Sequence, residues 1–66
     1  MDIRELARLY SASVEHYEGT VIELKRLIDS GEEYNTFWRD VVDPARHAVS
    51  TARLELENAR STVFPL

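Results

Sequence analysis

The chain of 66 residues contains no cysteine, which excludes a disulfide staple and a thiolate zinc site. A chain this short buries a core that barely offsets its conformational entropy, so with no staple the remaining common route to stability is self-association. The two histidines, His16 and His47, stand 31 positions apart, and no metal site is predicted. Glycine and proline are scarce, two of each, so few positions can interrupt a long helix. No apolar run approaches the roughly 20 residues of a membrane span, and the opening "MDIRELARLY" mixes acids and arginines in a way that fits neither a signal peptide nor a transit sequence. These features predict a cytoplasmic protein with no membrane partner. The formal charge of -4 argues against general nucleic-acid binding, though not against a local basic patch.

Catalysis finds no support in the residue pattern. Glu15, Glu23, Glu32 and Glu33 fall at positions expected to face solvent or to lie in a turn, where nothing raises a carboxyl pKa for acid-base work. His16 and His47 fall on different outward positions. The chain is read as a non-enzyme with no catalytic residue, no metal ligand and no cofactor.

What the sequence does contain is a seven-residue rhythm. Asp2 and Glu5 form a capping-box pattern, after which Ile3, Tyr10, Tyr17 and Leu24 occupy one row and Ala7, Val14, Val21 and Ile28 a second row four residues later. Gly19 falls on the outward side of both rows. Gly31 in "DSGEEYN" supplies a helix stop, and Ser30 with Glu33 offers a cap for the next helix. Beyond the bend, Trp38, Ala45, Ala52 and Ala59 form one row and Val42, Val49, Leu56 and Val63 its companion. The spacing predicts an all-α fold in one domain, 1–66: an antiparallel two-helix hairpin packed in heptads, with helix 1 over about 2–30, a turn at about 31–34 and helix 2 over about 35–63.

Pro44 leaves two readings open: a helix kinked between Asp40 and Pro44, or a short helix ending at Val42 and a new one capped by Asp43. The unbroken phase from Trp38 to Val49 favours the kink. Alanines at Ala45, Ala52 and Ala59 leave room for Tyr10 and Tyr17, which are read as core residues rather than as the lining of a cofactor site.

The two flanks of the hairpin differ. On one side Leu6, Leu9, Leu27, Phe37, Val41 and Ala48 extend the apolar arc beyond a two-helix seam and form the candidate oligomer interface. They predict self-association as a homodimer or higher, a four-helix bundle being the simplest closure, and the same edge suits a different protein partner. The alternation of small and large core residues resembles, in architecture only, helical-hairpin dimers of the repressor-of-primer type, a resemblance that implies no function.

The other flank carries Arg39, Arg46, Arg53 and Arg60, each seven residues after the last, with Arg4 and Lys25 on helix 1. Guanidinium forks suit phosphates, so this row is the candidate anion-binding surface, and a small phosphorylated molecule such as a nucleotide is its candidate ligand. The competing reading pairs each arginine within its own helix: Arg39 and Arg46 with Asp43, Arg53 and Arg60 with Glu57. Seven residues rise about 10.5 Å whereas strand phosphates advance about 3.4 Å, so the row matches discrete anions better than continuous tracking of a nucleic acid. Tyr34, Phe37 and Trp38 near the bend are candidates for base stacking or for apolar closure of the hairpin end. Phe64 and Leu66 in the tail either fold back or meet a partner. The leading expectation is a small oligomeric helical regulator, adaptor or inhibitor, with ligand sequestration at an arginine-lined interface and helical-hairpin RNA binding as alternatives.

Overall fold

The computed structural model describes residues 2–63, with side chains through Ser61; the tail residues Phe64 and Leu66 lie outside the described residues, as does the Val63 side chain. Helix α1 (Ile3–Asp29) begins where Asp2, in extended backbone, accepts the Arg4 N–H on its carboxylate at 3.3 Å and the Glu5 and Leu6 N–H groups on its carbonyl. Two of the donors that a helix start leaves unpaired, Arg4 and Glu5, are thereby satisfied, and the Leu6 bond is the first of the regular helical ladder. Gly19 lies on the open face, where an added Cβ would meet nothing. At the far end Gly31 adopts φ 74°, its N–H bonds the Ile28 carbonyl and the Glu32 N–H reaches back to Leu27. This pair of bonds closes the helix in a Schellman arrangement, which requires a left-handed residue at Gly31.

The bend is capped by one member of the expected pair, Glu33, without the other. Ser30 turns its hydroxyl back to the Arg26 carbonyl and to Glu32, while the Glu33 carboxylate accepts the Asn35 and Thr36 N–H groups. Glu33 alone therefore starts the second arm, because Ser30 is already used in ending the first.

The second arm comprises α2 (Asn35–Phe37), a π-helical segment Trp38–Val42 and α3 (Asp43–Val63) in direct succession. Phe37, Trp38 and Asp43 all keep right-handed helical dihedrals, so Pro44 does not break the arm. The Asp43 N–H bonds the Trp38 carbonyl five residues back. Proline lacks an N–H and its ring crowds the carbonyl four residues earlier, and the wider π turn just ahead of Pro44 makes room for it. The extra residue in that turn also resets the phase. Trp38, expected on the seam, is 45% exposed, and its neighbour Phe37 is half-buried instead.

α1 and α3 pack along their lengths in a slab of 50 × 18 × 15 Å. On the second arm the covered residues from Val42 onward are those the sequence predicts: Val42, at the end of the π turn, and Ala45 are buried, and Val49, Ala52, Leu56 and Ala59 half-buried. On α1 one of the two predicted rows holds and the other does not. Ile3, Tyr10 and Tyr17 are half-buried and Leu24 is buried, but the companion row is Leu6, Ser13, Thr20 and Leu27, one residue earlier than expected. Leu6 is 7% and Thr20 6% exposed, whereas Val21 and Ile28 are 40% and 48% exposed. The polar pair costs little in this seam because Ser13 and Thr20 donate to the Tyr10 and Tyr17 carbonyls at 2.7 Å.

Candidate interaction surface

With α1 rotated in this way, the two flanks of the hairpin change character. In an antiparallel pair, the positions one residue past the seam on each helix share an edge. That edge now carries Ala7, Val14, Val21 and Ile28 from α1, with only Val14 partly covered, beside Arg39, Arg46, Arg53 and Arg60 from the second arm. The opposite edge carries Leu9 and His16 from α1 with Val41 and Ala48 from the second arm.

The six residues read from the sequence as an oligomer interface are thus divided. Leu6 belongs to the hairpin's own interior and Leu27 is half-buried in the same row. Phe37 and Val41 are half-buried near the bend, and Leu9 and Ala48 stay exposed. The row that sequence reasoning missed as a surface is Ala7–Val14–Val21–Ile28, because its apolar character qualified it equally well for the core.

Among the described residues the arginine row is largely engaged within its own arm. Arg39 bonds Asp40 at 3.0 Å rather than Asp43, Arg46 meets Asp43 at 3.5 Å, and Arg53 meets Glu57 at 3.1 Å. Arg60 makes no ion pair among the described residues. The hydrogen bond to Arg39 holds the Asp40 carboxyl below its usual range, and Asp40 in turn raises the Arg39 guanidinium. On α1, Lys25 pairs with Asp29 at 2.7 Å and Arg26 grips Glu23 at 2.6 Å, which lowers the Glu23 pKa, again mainly through the hydrogen bond. A carboxyl held low is a poor proton donor near neutrality, so Glu23 is badly placed for general acid chemistry.

Comparison with known proteins finds no family profile, no curated protein and no solved structure that matches this chain. A shallow open hollow on α3 is lined by Ser50, Arg53, Leu54 and Glu57, all from one helix face, and its only guanidinium already holds Glu57. Tyr34 and Trp38 are exposed beside the bend, at 40% and 45%. No three histidine or acidic side chains come together as metal ligands among the described residues, and none of the described helices is long and apolar enough to cross a membrane. What remains on the surface is apolar area at helical spacing, flanked by charge that is mostly self-neutralised.

Proposed function

We propose that this protein is a non-enzymatic helical interaction module: hairpins associate through heptad-spaced apolar rows into a bundle, and the assembly acts on another macromolecule as a regulator, adaptor or inhibitor. One observation carries the reading. The chain exposes 5194 Å², whereas a compact protein of 7.6 kDa is expected to expose about 4,300 Å². Its radius of gyration, 15.2 Å, likewise exceeds the roughly 11 Å of a compact chain of this length. Part of that excess is apolar, since Leu9, Val21, Ile22, Ile28, Trp38 and Leu54 all stand exposed. Native mass spectrometry of protein purified from cells tests the proposal, with a whole-number multiple of the chain mass expected. A bare single chain at micromolar concentration contradicts it.

A second reading places a phosphorylated small molecule against Arg39, Arg46, Arg53 and Arg60. The specific observation in its favour is a row of guanidinium groups at about 10.5 Å intervals, with Arg60 unpaired among the described residues. Its cost is that an incoming phosphate has to displace Asp40, Asp43 and Glu57 from their present partners. Under this reading Arg46→Glu with Arg53→Glu abolishes binding of nucleoside phosphates and leaves oligomer mass unchanged. Added mass in the nucleotide range in the same spectrum speaks for this reading, and strong loss of affinity for RNA with rising salt speaks for RNA instead.

A further inference from the structure

We infer that a second copy of this chain docks along the row Ala7, Val14, Val21 and Ile28, so that two α1 helices lie antiparallel at the centre of a four-helix bundle. The inference rests on the self-association proposed above and names its surface. α1 carries three rows with apolar character, and α3 covers only two of them. Two rows suffice for a helix with one neighbour, whereas a three-row face is the pattern of a helix with two. The second arm lacks that third row. Arginines flank its seam on one side, and Val41, Ala48 and Glu55 on the other.

For a second copy, two-fold symmetry allows two ways of facing this row. One arrangement sets the row against its own copy, and the other sets it against the arginines of the second chain. The second arrangement strips water from guanidinium groups against valine and isoleucine, which is unfavourable. The first places apolar on apolar and leaves the arginines at the rim, where Asp40, Asp43 and Glu57 already offset the charge of Arg39, Arg46 and Arg53. An antiparallel pairing centred between Val14 and Val21 also brings the Ala7 end of each helix to the Ile28 end of the other, so that small meets large.

A standard interface takes about 800 Å² from each partner, and the chain exposes about 900 Å² more than a compact monomer of its mass over all of its faces, to which this row contributes the exposed parts of Ala7, Val21 and Ile28. The row itself runs for about 30 Å of helix.

Sedimentation velocity on the full chain tests this with two substitutions on opposite edges, Val21→Lys and Leu9→Lys, both at exposed positions of α1. The wild-type chain is expected at twice its 7.6 kDa mass at tens of micromolar. Val21→Lys should weaken association at least tenfold while circular dichroism stays helical, and Leu9→Lys should remain dimeric. A monomeric wild type overturns both the association reading and this inference. A dimer that survives Val21→Lys, whether or not Leu9→Lys breaks it, overturns only the surface named here, and a mass other than two chains overturns the four-helix arrangement. Should Val21→Lys unfold or both substitutions dissociate the dimer, the double variant Val14→Cys/Val21→Cys decides. These positions lie about 10.5 Å apart on one helix, too far for an internal bridge, so oxidation should give a covalent dimer. Failure to form one overturns the inference.

Discussion

Gly31 and Thr20 decide more of this hairpin than their size suggests. Gly31 sits at φ 74° and joins two backbone bonds that close α1, so Gly31→Ala forces a side chain into a left-handed conformation. A loss of about 1 kcal/mol is expected in urea melts, with no change in the slope that reports exposed surface. Thr20 is buried with its hydroxyl returned to the Tyr17 carbonyl of its own helix. Thr20→Val removes that hydroxyl without orphaning a buried partner, and the added methyl meets the apolar seam, so the same melts should show a gain of about 0.5–1 kcal/mol. Charge at the residue scale has a defined pH signature. Glu23 and Asp40 are both held below their ordinary values by hydrogen bonds from Arg26 and Arg39. A depressed folded-state pKa stabilises above the ordinary carboxylate range and loses that contribution as pH falls through the lowered value, so the wild-type thermal midpoint should fall more than that of Glu23→Gln/Asp40→Asn between roughly pH 5 and pH 2.

At the scale of elements, the second arm shows how a proline is accommodated without ending a helix. The π turn Trp38–Val42 both relieves Pro44 and rotates everything ahead of it, which exposes Trp38 and turns Phe37 inward. Pro44→Ala should let the turn relax toward α geometry and carry Trp38, the only tryptophan, back to the seam row. A blue shift of its emission is the expected result, and an unchanged spectrum would mean that packing near the bend, rather than the proline, sets the turn. The two elements also differ in how far they could be read from sequence. On α3 the covered rows were legible because their flanks are arginine on one side and mixed on the other, leaving a single apolar stripe. α1 offers three adjoining rows, and heptad spacing cannot choose which two of three face the partner. The decision fell to Leu6 and Leu27 at the row's ends and to the self-satisfied hydroxyls of Ser13 and Thr20 between them, features that periodicity does not weigh. The same ambiguity hid the surface row, since Val21 and Ile28 are as apolar as any core pair.

For the whole molecule, thinness is the dominant fact. A hairpin 18 Å by 15 Å in section has almost no interior, and only Leu6, Thr20, Leu24, Val42 and Ala45 are buried among the described residues. A chain that must offset about 1–2 kcal/mol of backbone entropy per residue gains little from so few sites. Burying the Val21–Ile28 flank against a second copy adds apolar area at no further cost in backbone order, which ties folding to association. If the native state is a dimer and the unfolded chain is a monomer, stability acquires a concentration term by mass action. The thermal midpoint of the wild-type chain should therefore climb by several degrees from about 2 µM to about 200 µM, because a tenfold change in concentration is worth about 1.4 kcal/mol per dimer and a domain this small gains roughly 4–8 °C per kcal/mol per chain. Val21→Lys should flatten that dependence and settle near the low-concentration value. A midpoint that ignores concentration in the wild type would show that the hairpin stands alone, leaving its exposed row for a partner of different sequence.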